Sequence, residues 1–379
     1  MSVSKVVVRV PATSANLGPG FDSLGLALAH HDHVEAELVD GESAVVVEGA
    51  GAGEVGDGEE HLIVRVMRTT FARMGVDQPA GIRLRCRNII PHARGMGSSS
   101  AAIVAGIYAA RALAGAAPDS APGTLGDGAP GRDGSGAPGH DDSGAPGRGG
   151  SGAAGDGGSG GGSGAAGDGG SGAPGHDGSG ASGRGGSGAR PSTVFTDDDV
   201  FALATELEGH PDNVAPCIFG GLTISWSDQS GIPRMVKLTP DAAIQPVVLI
   251  PSSRLSTETA RGLLPKDVPH KDASFNSGRS ALLIAALTQR PESSLLLAAT
   301  EDRLHQNYRA PAMRKTADLV ERLRSRGVPA VVSGAGPTIL VFSTTDTQDL
   351  IAPEVGNDWL IQHLDVDPDG AGVQVPETR

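Results

Sequence analysis

Apolar residues recur along this chain at two spacings, and the spacings assign most of its elements. A β-branched run over residues 5–10, stopped by Pro11, predicts a first strand. Residues 26–29, 34–39 and 44–48 resume strand character. Ile82, Leu84 and Cys86 share one face of a strand expected over 80–90, which Pro91 ends. Leu62, Ile63, Val66 and Met67 fall near helical spacing and predict a helix over 59–73. An Ala-rich helix is expected over 101–114. Another runs from Thr196 to 208, with Thr196 as N-cap and Asp197, Asp198 and Asp199 in its first turn. Residues 209–216 read as a loop, 218–226 as a strand, and 245–250 as a new apolar strand after a turn-rich gap. Helices are expected near 256–263, 274–288, 293–305 and 312–326. The segments 328–332 and 338–343 read as paired strands. The tail after Pro353 has no clear period.

Between residues 116 and 192 the pattern stops. Of the 57 glycines in the chain, 30 fall within positions 121–190, a window whose only large apolar residue is Leu125. Such a segment cannot bury a core, so it is expected to be a disordered Gly/Ala/Ser-rich insertion. The remaining residues suffice for two packed units, expected at 1–244 and 245–379.

Charge narrows the function classes. The formal net charge is −14, and seven Asp against four Arg in the 121–190 window account for only −3 of it. An acidic protein of this kind is a poor general binder of nucleic acid or of anionic membranes, so any anionic ligand must be held locally. Two cysteines, Cys86 and Cys217, cannot build a disulfide framework and suit a reducing compartment. Residues 1–10 carry no apolar signal core, and no run reaches membrane-spanning length; a cytoplasmic location is expected.

Candidate chemistry concentrates in a few loops. The stretch from Pro11 to Gly25 is a dense turn region. After Pro91 come Gly95-Met-Gly97, then Ser98, Ser99, Ser100 and a helix. Two glycines let the backbone approach an anion closely, and the helix start aims unpaired N–H groups at the same spot. No Lys follows the second glycine, so this is not a Walker A loop. Glu208 ends a helix just before Gly-His-Pro-Asp-Asn. With a serine hydroxyl it could hold Mg²⁺, an ion that takes few protein ligands. His30-His31-Asp32-His33 reads as solvated strand surface. No Gly-X-Ser-X-Gly elbow supports hydrolase chemistry.

Five segments, in order, resemble the GHMP kinase superfamily and, within it, the homoserine kinase family. They are Pro11–Gly25, Pro91–Ala101, Glu208–Pro216, Ser256–Arg261 and Ser333–Thr338. The resemblance implies an α+β fold with a ribosomal-protein-S5-like N-terminal domain and a ferredoxin-like C-terminal domain. It implies ATP-dependent phosphorylation of L-homoserine, a step toward threonine, with ATP and Mg²⁺ as cofactors. A kinase for another small alcohol, mevalonate or a sugar, is the alternative, as is a non-catalytic nucleotide-binding relative. By the same resemblance, Pro91, Arg94, Gly95, Met96, Gly97, Ser98, Ser99 and Ser100 would hold the triphosphate and Leu62 and Ile63 the adenine. An Asn is usual before that Leu, and here it is His61. Ser99, with Ser98 as alternate, and Glu208 would bind the metal. Asn16, Asp22, His210, Asn213, Arg261 and Arg309 would line the amino-acid pocket, and Asn213, Thr257 and Arg309 would act in catalysis. Asp212, next to Asn213, is expected to point elsewhere, leaving no strong general base. A homodimer is compatible with the resemblance.

Overall fold

The computed structural model describes residues 4–115 and 195–376; the insertion expected over 116–192 lies outside the described residues. The N-terminal part carries β1 (Lys5–Ala15), β2 (Leu24–Val39), β3 (Ala44–Gly49), α1 (Leu62–Met74), β4 (Gly81–Asn88), α2 (Ser98–Leu113), α3 (Asp197–Glu208), α4 (Val214–Phe219), β5 (Leu222–Ser227) and β6 (Pro233–Leu238). The rest carries β7 (Gln245–Pro251), α5 (Thr257–Gly262), α6 (His270–Thr288), α7 (Ser293–Ala299), α8 (Gln306–Arg309), α9 (Arg314–Ser325), β8 (Ala330–Val332), β9 (Ile339–Ser343), β10 (Trp359–His363) and β11 (Gly372–Gln374).

The first sheet runs β11-β1-β2-β4-β3, with β5 added to β2 and β6 to β5. Only β3 and β4 pair in parallel; the other pairs are antiparallel. β1 continues past Pro11 because the register shifts between Pro11 and Ala12. At such a bulge a residue without an N–H costs the ladder little. The turn therefore starts only at Asn16. The expected strand over 218–226 begins later, at Leu222, because Val214–Phe219 closes a short helix before Gly220 and Gly221 turn the chain, both at positive φ.

The second sheet, β10-β7-β9-β8, is covered on both faces. Along β7, Val248 and Ile250 join the main core while Val247 and Leu249 join a second core with Leu319 and Leu323 of α9. β9 alternates in the same way, Leu340 and Phe342 against Ile339 and Val341. A strand buried on both sides reads as a continuous apolar run, which is why these two were plain in the sequence. α2 is buried all round, and its small residues let neighbours come close. A Cβ on Gly106 would lie 2.8 Å from a Val66 side-chain carbon. Its one buried cation, Arg111, pairs with Asp197 at 2.5 Å.

The His30–His33 segment corrects the expectation of solvated strand. Only His33 is exposed. His31 pairs with Asp367 from the tail, and Asp32 is buried, accepting from the Ile89 and Ile90 amides at 2.6 and 2.9 Å. Both partners lie far off in the chain, beyond the reach of local alternation. Among the described residues no helix is long and apolar enough to cross a membrane.

Asp32 anchors the strand end that leads into the Gly95–Ser100 loop. Burial pushes its pKa from the ordinary 3.8 up to about 6, against the pull of those two amides. A folded pKa above the unfolded one stabilises the fold below pH 3.8, and that contribution is lost as pH rises through about 6. The shift corresponds to about 3 kcal/mol. Asp32→Asn keeps an acceptor for both amides without the charge. Urea unfolding at pH 4 and pH 7 should therefore show the variant losing about 2–3 kcal/mol less stability than the parent over that interval.

Candidate active site

Where β1 ends, the chain turns sharply through residues held at positive φ. Asn16, Leu17 and Asp22 all take positive φ, at 68°, 49° and 53°. Side chains rarely hold that region without help. The Asn16 amide supplies some of it, donating to Gly334 O at 2.8 Å while its Oδ1 accepts from the Asp22 N–H at 2.9 Å. Asp22 in turn meets Arg261 in a two-pronged ion pair, at 2.8 and 3.2 Å.

Across from this turn, α2 begins at Gly97, which sits at φ 70° and has no side chain to cap the helix. The first α2 bond runs from Ala101 N–H to Gly97 O. The N–H groups of Ser98, Ser99 and Ser100 are thus left over at the helix start, as helix geometry requires. Ser99 Oγ donates to Glu208 Oε2 at 2.8 Å, so the second of the three serines faces the carboxylate. Glu208 reaches this point because α3, capped by the Thr196–Asp199 box, runs its full length and stops at Gly209 in the left-handed region.

Beside them, Thr13 Oγ1 donates to Asn213 Oδ1 at 2.8 Å. Asn213 therefore turns its amide N–H₂ away from Thr13. Asp212 corrects the expectation that it points elsewhere. Its carboxylate is buried, faces the same cleft, and holds His210 Nδ1 at 2.8 Å. Residues 211–214 already wind toward α4, so neighbouring side chains diverge by a helical step rather than by half a turn. The Asp212 bond raises the pKa of His210 above the usual imidazole value, with burial opposing it.

One cleft of about 300 Å³ gathers these groups. Of the expected residues it is lined by Asn16, Arg94, Gly95, Gly97, Ser98, Ser99, Glu208, His210, Asn213, Thr257, Arg261 and Arg309. Asp22 joins through Arg261. Arg94 is spent on the backbone: its Nε, Nη1 and Nη2 donate to the carbonyls of Pro251, His92 and Ser252. Met96 is fully buried and offers its carbonyl to Thr13 N–H. Ser100 is buried too, its hydroxyl unpartnered among the described residues. Pro91, Leu62 and Ile63 do not line the cleft; Ile63 lies in the core and His61 caps α1 through the Ile63 N–H. Sequence reasoning passed over Thr13 and Gly334, and set Asp212 aside as pointing elsewhere. A threonine at a strand end and a loop glycine carry no signal alone, although the Asp-Asn pair in Glu208–Pro216 was visible.

Arg309 is 1% exposed, yet its Nε has no partner among the described residues. Burial, then Arg261, lowers its pKa from the ordinary guanidinium value, while Asp22, Asp302 and Asp212 oppose the shift. A buried cation with an unused N–H on a cleft wall is suited to a planar anion such as a carboxylate. Glu208 and Ser99 offer hard oxygen donors side by side at the helix start, a set that fits Mg²⁺. Among the described residues, no three His, Cys, Asp or Glu side chains cluster to hold a metal. An ion at Glu208 would draw its other ligands from phosphate and water.

Residues 61–142 match the GHMP kinases N terminal domain and residues 283–361 the GHMP kinases C terminal domain. The chain is 44% identical over 368 residues to homoserine kinase from Streptomyces coelicolor, covering 97% of this chain and 94% of that one. It is 37% identical over 352 residues to homoserine kinase from Mycobacterium tuberculosis, covering 92% and 87%. The crystal structure of homoserine kinase from Cytophaga hutchinsonii superposes with a TM-score of 0.66 at 21% identity over 98% of each chain, a likeness of fold. The chain belongs to the homoserine kinase family of the GHMP kinases, and its two-domain α+β fold is theirs.

Gly97 offers a sharp test of the cleft. A Cβ there would sit 1.9 Å from Thr13 Oγ1 and 3.3 Å from Asn213 Oδ1, at a φ that L-residues avoid. Gly97→Ala should cut turnover at least about a hundredfold while leaving the circular dichroism spectrum unchanged, since the displaced groups belong to the site and not to the core.

Proposed function

We propose that this protein transfers the γ-phosphoryl group of ATP to the side-chain hydroxyl of L-homoserine, giving ADP and O-phospho-L-homoserine. One observation carries the reading: a single cleft holds an uncapped helix start and a Ser–Glu oxygen pair together with Asn16, Arg309 and Arg261, the last paired with Asp22. The first group suits a polyphosphate, the second a zwitterionic amino acid.

In this reading the N–H groups from Gly95 to Ser100 cradle the triphosphate, and half-buried Leu62 at the start of α1 is the adenine contact, Ile63 being taken up by the core. Ser99 and Glu208 hold Mg²⁺, which, when bound, neutralises charge on the phosphate oxygens. Asp22 and Arg261 satisfy each other across the turn. An incoming amino acid exchanges that one ion pair for two, its ammonium on Asp22 and its carboxylate on Arg261 and Arg309. A ligand lacking either charge would strand a partner, and an unpaired partly buried ion is costly. Asn16 and His210 complete the pocket.

Phosphoryl transfer asks mainly for in-line positioning and charge stabilisation. Asn213 cannot take a proton, and its Oδ1 is already occupied by Thr13. Asp212 is engaged with His210. Asn213 and Thr257 therefore orient the homoserine hydroxyl, and no strong general base operates. The two cysteines, both free and buried, suit the reducing cytoplasm in which we place the enzyme.

A coupled ADP-release assay with L-homoserine, mevalonate, galactose or no acceptor tests the substrate. Release is expected with L-homoserine alone, and activity confined to mevalonate or galactose would reject the assignment. Asn213→Asp tests the mechanism: turnover should fall about tenfold or more with an unshifted pH profile, because the new charge repels the phosphoryl oxygens. Faster turnover with a shifted profile would show that a base had been missing.

A further inference from the structure

Behind the cleft lies a buried polar network that the proposed reaction does not use directly. His305 is fully buried, at the entrance to α8. Its Nε2 lies 2.8 Å from Gly18 O, and its Nδ1 lies 3.1 Å from Arg309 Nη1. A guanidinium nitrogen can only donate and a carbonyl oxygen can only accept. Both contacts are satisfied at once only if Nδ1 carries the lone pair and Nε2 the proton. Burial agrees with this, lowering the imidazole pKa and favouring the neutral ring despite Asp302. The Phe21 ring stacks on the imidazole, centroids 5.2 Å apart and planes 24° apart, and also lies under the Arg309 guanidinium.

The neighbours hold the ring's surroundings in the same sense. Asp302 accepts from the N–H groups of Leu304, His305 and Gln306, fixing the start of α8. Asn276 Nδ2 bridges Asp302 Oδ1 and Pro19 O, each at 3.1 Å, and Ser280 Oγ donates to Pro19 O at 2.7 Å. Consecutive carbonyls of the Asn16–Asp22 turn, Gly18 and Pro19, are thus both pinned from the C-terminal part of the chain. Arg309 Nη1 also reaches Gly334 O at 3.3 Å, the carbonyl that accepts from Asn16.

We propose that His305, held as the neutral Nε2–H tautomer, is a positioning residue that locks Arg309 and the Asn16–Asp22 turn into one rigid amino-acid subsite. It touches neither substrate. It occupies Nη1 of Arg309, a residue that lines the cleft, and so fixes how the guanidinium sits in the cleft wall. The inference rests on the homoserine kinase reading for what Arg309 binds, but the tautomer and the linkage do not depend on it.

Two near-isosteric variants divide the role. His305→Asn keeps an acceptor where Nδ1 stood and loses the link to Gly18. His305→Gln keeps a donor where Nε2 stood and loses the acceptor for Arg309. We expect both variants to raise the KM for L-homoserine while the KM for ATP stays within twofold: His305→Gln, which unmoors Arg309 itself, by tenfold or more, and His305→Asn, which frees only the turn, by about threefold to fivefold. A parallel rise in the KM for ATP, or an unchanged KM for L-homoserine in either variant, would overturn the proposal. The second readout needs no activity: imidazole ¹⁵N shifts of the resting protein, with the His305 signals assigned by their loss in His305→Asn. A neutral Nε2–H ring at pH 7 supports the proposal, and an Nδ1–H or charged ring refutes it. A parent enzyme inert toward L-homoserine would strike the functional reading, while these shifts would still decide the tautomer.

Discussion

Around Gly95 and Gly97 the backbones of three distant segments approach to distances that admit no side chain. A Cβ on Gly95 would stand 2.2 Å from Ser333 O, and one on Gly97 1.9 Å from Thr13 Oγ1. Ser333 Oγ reaches both Gly95 O and Ser14 Oγ, and the Thr338 N–H donates to Arg94 O. The end of β1, the loop before α2 and the Ser333–Thr338 loop are therefore one knot. Arg94 tightens it by bonding the end of β7. The helix start that faces the phosphates, the turn that faces the amino acid and the wall bearing Arg309 take their places from this contact. Glycine is needed here for lack of bulk as much as for its freedom at positive φ.

The second organising feature is that the substrate side of the cleft is assembled from both halves of the chain. Asn16 and Asp22 come from the N-terminal half, Arg261 and Arg309 from the C-terminal half; the Asn16–Gly334 and Asp22–Arg261 bonds cross between them, and Arg309 reaches the same Gly334 carbonyl. A site made this way is only as rigid as the contact between its parts. The main core supports that contact, running without interruption from Val6 and Leu26 of the first sheet to Val248 and Phe342 of the second. Close packing of this kind keeps two arginines near each other against their mutual repulsion.

Much of this was legible before any coordinates, and the rest was hidden for identifiable reasons. The strands over 80–90 and 245–250, the helix from Thr196 and the pair around Ser333 announce themselves by period, capping and turn residues. β6, β10 and β11 did not: β6 and β10 lie along sheet rims with few inward apolar positions, and β11 spans only Gly372–Gln374. Gly95, Gly97, Ser99 and Glu208 were visible because anion binding at a helix start leaves a signature in the sequence. Arg94 reads as a ligand contact from its place beside such a loop, and its carbonyl partners on Pro251, His92 and Ser252 leave no mark in the sequence. Asp212 was set aside because its direction depends on how residues 211–214 wind toward α4, and His305 escaped because its partner Gly18 lies nearly three hundred residues away.

β11 brings the last described strand of the chain back to the first, pairing Val373 with Val8. The outer edge of β1 consequently stays bare while a ribosome makes everything in between. Until Gly372–Gln374 emerge, the nascent protein presents an open strand edge of valine-rich backbone, the kind of surface to which other chains add. Closure of the first sheet thus waits for Gly372–Gln374, and the interval before they emerge is when the growing chain most needs shielding.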